Sequence, residues 1–416
     1  MLELEIGFLK PFRATSKTYL KIAKDGSKTE VTCTIFTNGI PKLTHLKKSG
    51  YFIKWFYCLQ ILNICIFPVL TAMKATFYKY ILNFKQASGT SRGVLKTKET
   101  YFLRLENKDQ FGIGECAVFR GLSSDDRPDY EAKLSWLCKN IHFKENVLLN
   151  ELKYFPSIQF GFEQALKAVK SEKPFLLFPS KFTNSTDAIN INGLIWMGSE
   201  AFMKQQIKDK LAAGFSTIKM KIGAIDFESE LKLLKSIRSN FSSKEIEIRV
   251  DANGAFNPKN ALEKLKRLSD VEIHSIEQPI KQGQIDEMAY LCSKTPLPIA
   301  LDEELIGVFE GSKKQALLQI INPQYIILKP SLIGGYTGSE EWIQLAQKKK
   351  IDWWITSALE SNIGLNAIAQ WTYILHNKMP QGLGTGSLFT NNFDSPLEVK
   401  NGHLHYNNTK KWNFNL

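Results

Sequence analysis

The sequence predicts an α/β protein in which a (β/α)₈ barrel of the TIM type follows an N-terminal α+β capping domain. Three observations lead to this prediction: short apolar runs recur from residue 191 onward, amphipathic helical stretches separate them, and charged residues recur near the ends of the runs. Strand–helix repeats of this kind are typical of a parallel barrel. An open doubly wound sheet is the alternative. That fold would place a Gly-rich phosphate loop after the first strand, and the stretch found there, "WMGSEAF", is not one.

The predicted barrel occupies residues 186–390, and eight apolar runs within it fit its strands. The runs are "INGLIWM", "STIKMKI", "IEIRVDA", "EIHSIEQ", "LPIALDE", "YIILKPS", "DWWITSA" and "QGLGTG". Seven of them are followed by a helical pattern, as in "PKNALEKLKRL", where Asn257 is a suitable N-cap and Pro258 suits the first helical position. We expect the C-terminal segment, 391–416, to return to the capping domain.

Residues 73–185 predict the α+β capping domain. The stretches "ATFYKYILNFK", "ETYFLRLEN" and "QFGIGECAVF" alternate like strands, and residues 129–172 carry helical periodicity. Between the first two strands the Gly-rich stretch "ASGTSRGV", residues 87–94, predicts a long mobile loop. Strands followed by helices in this order are typical of a compact α+β domain.

Residues 1–72 form an atypical extension. The alternating stretch "SKTYLKIAKDGSKTEVTCTIF" predicts a hairpin with its turn at Asp25–Gly26. It is followed by the most apolar window of the chain, residues 55–73, which is long enough for a membrane span but contains Gln60, Asn63 and Pro68. Three interpretations remain open: a misassigned start with Met73 as the true first residue, a membrane tether, or a packed extension.

The charge and cysteine content exclude some classes of protein. The formal net charge is +13, but ten Lys and Arg against four Asp and Glu fall in residues 1–72, and no basic run resembles a nucleic-acid-binding arm. We therefore expect no nucleic-acid partner, and membrane contact only through segment 55–73. The six cysteines are scattered without zinc-like spacing, which predicts a reduced, cytoplasmic protein without a disulfide framework.

Charged residues follow the predicted strands at nearly constant intervals. The intervals are 30 residues from Lys221 to Asp251, 26 to Glu277, 25 to Asp302 and 27 to Lys329. Each interval is the length of one βα unit, so these residues occupy equivalent places at the C-terminal rim, where barrel enzymes keep their active sites. Taken one at a time, each residue has an ordinary structural explanation. Their order and spacing, taken together, indicate a catalytic site instead.

Three converging carboxylates repel one another unless a cation lies between them. An all-oxygen set on rigid strands suits Mg²⁺, with Mn²⁺ as the alternative, and such an ion polarises a substrate carboxylate. A lysine then removes the adjacent proton only in its neutral form. Alternation on the strand places Lys219 beside Lys221, and we expect this second ammonium to lower the pKa of the base.

The motifs "KMK" (219–221), "DAN" (251–253), "EQP" (277–279), "DE" (302–303) and "KPS" (329–331) resemble those of the enolase superfamily, muconate-lactonizing subgroup. The resemblance spans about residues 73–405. It implies that Asp251, Glu277 and Asp302 bind the metal ion, that Lys221 is the base with Lys219 as its partner, and that Lys329 faces the substrate from the opposite side. It also implies that loop 87–94 closes over the substrate, with Ser91 and Arg92 within reach.

Within this superfamily, "SALESNIG" and "GLGTGS" resemble stretches of o-succinylbenzoate synthases, which dehydrate a succinyl-substituted cyclohexadiene carboxylate in menaquinone biosynthesis. The resemblance implies that Ser357, Ser361, Gly384 and Thr385 offer hydrogen-bond donors to this small-molecule carboxylate. The alternatives on the same site are an N-acylamino acid racemase, a dipeptide epimerase and a muconate-type lactonizing enzyme. The stretch "GLGTGSLFTNN" has no acidic pair to bind a peptide amine, which argues against a dipeptide epimerase. A non-enzymatic alternative is a membrane-tethered or nucleic-acid-binding protein with an inactive barrel.

Overall fold

The computed structural model describes residues 16–22, 28–35, 41–46, 73–90, 93–108 and 110–414. The chain divides into two compact units, Met1–Leu70 and Thr71–Leu416. In the first unit, the described backbone forms an antiparallel sheet of three strands. They are β1 (Ser16–Ile22), β2 (Lys28–Ile35) and β3 (Pro41–Leu46), with β2 in the centre. The β1–β2 pair corresponds to the hairpin that the alternating pattern predicts.

Residues 55–72, the bulk of the apolar window, lie outside the described residues. Among the helices that are described, none has both the length and the apolar character needed to cross a membrane.

The second unit begins with an antiparallel sheet followed by helices. The strands are β4 (Lys74–Thr90), β5 (Gly93–Asn107) and β6 (Gln110–Cys116), and the helices are α1 (Tyr130–Lys139), α2 (Glu145–Leu152) and α3 (Pro156–Val169). Helix α3 packs closely on β6, since a Cβ on Gly114 would lie 1.9 Å from the Gly161 carbonyl oxygen. Glycine is required at this contact.

The connection between β4 and β5 differs from the prediction of a long loop at 87–94. The two strands stay paired as far as Thr90 and Gly93, with an irregularity between Asn83 and Ser88. Cross-strand pairing satisfies the backbone donors and acceptors of residues that composition alone assigns to a loop. Ser91 and Arg92, which were predicted to reach the substrate, lie outside the described residues.

A parallel sheet of seven strands forms the centre of the described part of the second unit. After β7 (Ala188–Asn190), its strands are β8 (Gly193–Ile195), β9 (Thr217–Lys221), β10 (Glu247–Asp251), β11 (Ser275–Glu277), β12 (Ile299–Leu301), β13 (Tyr325–Leu328) and β14 (Asp352–Ile355). Each strand pairs with the next in chain order. The predicted α/β fold with a parallel sheet is therefore confirmed.

Residues 381–382 connect the two edges of this sheet. The Gln381 carbonyl accepts from the Asn192 amide at 2.9 Å beside β8, and the Gly382 amide donates to the Ile355 carbonyl at 2.8 Å on β14. The eighth apolar run therefore contributes isolated bridges at the place predicted for a last strand. A sheet bonded at both edges to one segment must curl.

Helices alternate with the strands and cover the sheet. They are α4 (Glu200–Ala212), α5 (Phe227–Arg238), α6 (Pro258–Ser269), α7 (Ile285–Lys294), α8 (Gly311–Ile321), α9 (Pro330–Ile333), α10 (Gly335–Lys348) and α11 (Asn362–Ile374). As predicted, Pro258 opens α6 and the Asn257 side chain caps it by accepting from the Lys259 amide. The largest apolar core cluster includes buried side chains from the strands and from these helices.

The C-terminal segment packs in two places. Its strands β15 (Leu397–Lys400) and β16 (His403–Tyr406) form a hairpin, and β16 pairs with β7. Further on, the ring of Trp412 stacks on Phe175 with centroids 4.4 Å apart, and Phe414 packs on Phe102 of β5. The end of the chain thus contacts the antiparallel sheet as well as β7.

Candidate active site

Two lysines of β9 point the same way, as alternation on a strand requires. The Nζ atoms of Lys219 and Lys221 each lie 2.9 Å from Oδ2 of Asp251, and both side chains are buried. The parallel register explains this meeting, because Asp251 of β10 pairs with Lys221 on one side and with Glu277 of β11 on the other. Residues that recur at nearly constant intervals along the sequence are therefore neighbours across the parallel sheet.

The row of charges continues across the sheet. Lys219 also contacts Glu277, and Lys329 contacts Asp302 and lies 3.6 Å from Oε1 of Glu277. Asp302 immediately follows β12, and Lys329 immediately follows β13. The six predicted residues thus form one alternating row of ammonium and carboxylate groups at the C-terminal ends of consecutive strands.

Burial and neighbouring charges shift the pKa values in this row in opposite directions. Burial disfavours the ionised form of Asp251, but the ammonium groups of Lys219, Lys221 and Lys329 together hold its pKa far below the usual range. For Asp302, burial and the nearby carboxylates outweigh Lys329 and raise the pKa well above the usual value. Asp302 therefore lies close to other carboxylates, among them Glu303 and Glu277.

The carboxylates also raise the pKa of their lysine partners. Burial works against the charged form of Lys219, yet Asp251 and Glu277 raise its pKa, and Asp302 and Glu277 do the same for Lys329. Both lysines are ammonium ions in this arrangement. The predicted effect of Lys219 on the basicity of Lys221 stays a prediction.

A divalent cation requires several oxygen ligands that converge on one point. In the part of the chain that the structure describes, no group of three or more His, Cys, Asp and Glu side chains is placed to hold a metal ion, because ammonium groups lie between the carboxylates. Two features nevertheless fit a cation. Oε1 of Glu277 is buried without a hydrogen-bond partner among the described residues. Asp302 also lies close to Glu277 and Glu303, so that carboxylates gather at this end of the row. A cation there would replace ammonium contacts.

A cavity of about 130 Å³ opens above the row. The lysines Lys219, Lys221 and Lys329 line one side of it, and the predicted binding residues Ser357, Gly384 and Thr385 line another. Apolar side chains complete its walls, among them Phe119 and Leu122 from the segment after β6, and Trp196 and Leu359. A largely apolar pocket with a few converging charges is typical of a site for a small organic anion.

Ser361 has a different position from the one predicted. Its side chain is buried, its hydroxyl donates to Glu115 at 2.5 Å, and its Oγ accepts from the Ile363 amide at the start of α11. Since a hydroxyl has a single proton, that proton is already committed. Ser361 is a helix cap in the structure. The predicted donor Arg92 lies outside the described residues.

Two residues that support the site were missed in the sequence. Lys221 donates to Oδ1 of Asn253 at 2.6 Å, and Oε1 of Gln278 accepts from the amides of Asp302 and Glu304 at 3.2 and 3.3 Å. Asn253 and Gln278 have positive φ angles, 43° and 39°, which place their backbones in the left-handed region just after their strands. The last residue of "DAN" and the middle residue of "EQP" carried the signal, but only the acidic residue of each motif was chosen.

Comparison with known proteins defines the class of this fold and site. A family model described as "Enolase C-terminal domain-like" matches residues 203–410, and one described as "MenC, N-terminal domain" matches residues 72–169. The chain belongs to the enolase superfamily, as its motifs predicted.

Individual relatives narrow the comparison. The chain is 46% identical over 366 residues to the o-succinylbenzoate synthase of Desulfotalea psychrophila, covering 80% of this chain and 99% of that relative. The crystal structure of MenC from Desulfotalea psychrophila LSv54 superposes with a TM-score of 0.72 at 43% identity, again over 80% and 99% of the two chains. The muconate lactonizing enzyme of Pseudomonas fluorescens has a TM-score of 0.69 at 19% identity over 83% and 97%, which shows a shared fold.

Proposed function

We propose that this chain is an enzyme that converts a succinyl-substituted cyclohexadiene carboxylate to o-succinylbenzoate by syn-elimination of water, a step of menaquinone biosynthesis. The observation that carries this proposal is the 46% identity to an o-succinylbenzoate synthase across 99% of that relative. The row of lysines and carboxylates beneath an apolar cavity is chemically suited to the reaction.

In this proposal Lys221 is the general base. Its Nζ lies at the cavity wall, so that as a neutral amine it removes the proton alpha to the substrate carboxylate. Hydroxide leaves from the same face, and the proton on Lys221 is transferred to it to form water. Lys219 forms an ion pair with Asp251 and so offsets the negative charge beside Lys221. Lys329, as an ammonium ion, stabilises negative charge on the substrate from the other side of the cavity.

The proposal includes a divalent cation, Mg²⁺ with Mn²⁺ as the alternative, held by Asp251, Glu277 and Asp302. When bound, the ion acts as a Lewis acid that polarises the oxygens of the substrate carboxylate. Two observations support this ligand set: Oε1 of Glu277 is buried without a hydrogen-bond partner among the described residues, and other carboxylates gather around Asp302. Gly384 and Thr385, which line the cavity, are the proposed contacts for the remainder of the substrate, and Ser357 holds Thr385 in place by accepting its hydroxyl proton.

We also propose the domain boundaries that the sequence predicts. Residues 186–390 close as a (β/α)₈ barrel that carries the catalytic groups, residues 73–185 form the capping domain, and 391–416 returns to the cap. The hydrogen bonds of residues 381–382 to both sheet edges support the closure. If residues 1–72 are dispensable, a variant that begins at Met73 retains turnover. Loss of turnover in that variant would instead assign the extension a functional part. A cytoplasmic location belongs to the same proposal.

Turnover by the purified chain tests the function. In the presence of Mg²⁺ we expect formation of the aromatic product from the succinyl-cyclohexadiene acid, followed by its ultraviolet absorbance, with loss of activity after chelation and recovery when Mg²⁺ is restored. N-succinyl amino acids and dipeptides should be racemised or epimerised far more slowly. Preference for either of these, or full activity in chelator, would contradict the proposal.

A further inference from the structure

A buried lysine of the capping sheet has a charge that the proposed mechanism does not use. Lys98 of β5 is only 6% exposed, and its Nζ has no hydrogen-bond partner within the described ranges. Burial lowers the pKa of Lys98, while the carboxylates of Glu115 and Glu360 act in the opposite direction. An uncompensated buried ammonium group is costly, so its retention requires an explanation in terms of these neighbours.

Glu115 and Glu360 lie side by side, although one belongs to β6 and the other precedes α11. A Cβ on Gly364 would lie 2.8 Å from Oε2 of Glu115 and also 2.8 Å from Cβ of Glu360. Both glutamates are fully buried. Lys98 faces the same way as Thr100 on its strand, and the Thr100 hydroxyl donates to Glu115 at 2.9 Å. One buried amino group and two buried carboxyl groups therefore lie close together where the cap adjoins the active-site side of the parallel sheet.

The oxygens of Glu115 are fully committed. They accept from the Ser361 amide at 3.0 Å, the Gly364 amide at 2.9 Å, and the hydroxyls of Ser361 and Thr100. This carboxylate accepts two backbone bonds at the N-terminus of α11, where the amides of the first turn have no partner within the helix. Burial raises the pKa of Glu360, and the charge of Lys98 is the largest influence that opposes this shift.

Glu360 is the end of a directed chain of hydrogen bonds that reaches the cavity. It accepts from the hydroxyls of Ser331 and Ser357, each at 2.5 Å. Oγ of Ser357 in turn accepts from the Leu359 amide at 3.0 Å and from the Thr385 hydroxyl at 2.9 Å. With its proton donated to Glu360 and two bonds accepted, Ser357 has no capacity left for a ligand.

The direction of this chain decides what the cavity offers. Thr385 gives its proton to Ser357, so its oxygen presents lone pairs to the cavity and accepts from a ligand hydroxyl. This reverses the role predicted for the two hydroxyls, which were expected to donate to a substrate carboxylate. If Glu360 were protonated, it would itself need an acceptor, and the chain could run the other way.

We propose that Lys98 is a positioning residue that keeps Glu360 ionised, and so directs the Thr385–Ser357–Glu360 chain to present a hydrogen-bond acceptor to a hydroxyl group of the substrate. The inference rests on the proposed function, whose substrate loses a hydroxyl group. It extends that function because Lys98, a residue of the capping sheet, would influence the substrate pocket through the hydroxyls of Ser357 and Thr385.

The test compares the full chain with its Lys98→Met variant. Methionine has nearly the length of lysine without the charge. At pH 7 we expect kcat/KM to fall at least ten-fold and to recover as the pH rises, because Glu360 then ionises without help. Lys98→Arg should retain most of the activity. Lys96→Met, an exposed lysine on the same strand, is the matched control and should behave as wild type. An unchanged kcat/KM, or a uniform loss at every pH, would overturn the inference.

A second measurement does not depend on the reaction. In Lys98→Met the folded state should hold a proton on Glu360 to higher pH than the unfolded chain does. Thermal stability should therefore fall more steeply with rising pH between 5 and 9 than in the wild type, and the added Glu360→Gln change should remove that extra slope. Equal slopes in Lys98→Met and wild type would refute the charge pairing even if the proposed substrate proved wrong. If Lys98→Met fails to fold, Lys98→Gln is measured in the same way.

Discussion

Replacing Glu115 by glutamine should destabilise the protein by about 3 kcal/mol, although the change replaces a single oxygen by an NH₂ group. Glutamine keeps one acceptor oxygen, so two of the four bonds to the carboxylate are lost whichever way the amide turns. One of the two is a backbone amide of Ser361 or Gly364. Hydrogen bonds to a charged group contribute about 1.5–3 kcal/mol each, which gives about 3–6 kcal/mol for two. Relief of repulsion between Glu115 and Glu360 favours the low end of that range.

Urea denaturation followed by tryptophan fluorescence measures this change in the free energy of unfolding. Glu145→Gln is the matched control, because Glu145 forms an exposed salt bridge to Lys170 at 3.0 Å, and such pairs contribute little. We expect Glu145→Gln to unfold at the wild-type midpoint. A Glu115→Gln variant that also unfolds at the wild-type midpoint would refute the argument that this carboxylate joins the cap to α11.

Three further variants test other parts of the account. Gly114→Ala forces a Cβ to within 1.9 Å of the Gly161 carbonyl and should cost at least about 1–3 kcal/mol in urea unfolding. Glu230→Gln tests pH dependence: burial raises the pKa of Glu230 from 4.5 to about 7, so the folded state holds its proton more tightly than the unfolded chain and loses stability as the pH rises from 4.5 through 7. The variant keeps the acceptor for the Gly223 amide and should be about 1–3 kcal/mol more stable than wild type at pH 8, with no advantage at pH 4.5. Lys329→Ala should lower kcat at least about 100-fold while thermal stability remains measurable, and near-normal turnover would remove Lys329 from the mechanism.

The positions of the charged row could be predicted from the sequence because a parallel sheet converts constant spacing into proximity. Asp251 and Lys221 stand 30 residues apart and are paired in the ladder, and the same holds for Asp251 and Glu277 across the next interval. Each βα unit has nearly the same length, so a one-dimensional pattern was sufficient. The family comparison confirmed the superfamily that these motifs indicated.

Contacts between distant parts of the chain could not be predicted in this way. Glu115 and Ser361 are 246 residues apart, and no periodicity relates a capping strand to the helix it caps. Ser361 was therefore assigned to the substrate, although its hydroxyl is used within the protein. The prediction of a long loop at "ASGTSRGV" was wrong for a different reason. Cross-strand pairing there overrides the weak local preference of Gly and Ser for loops.

The turnover of Lys221→Ala tests the central claim most directly, namely that this amine removes the substrate proton. At saturating Mg²⁺ and substrate we expect kcat to fall by about 10²–10⁴-fold or more, as for loss of a general base, while the exposed control Lys235→Ala keeps wild-type activity. Circular dichroism establishes that both variants are folded. Dehydration by Lys221→Ala at close to the wild-type rate would contradict the account.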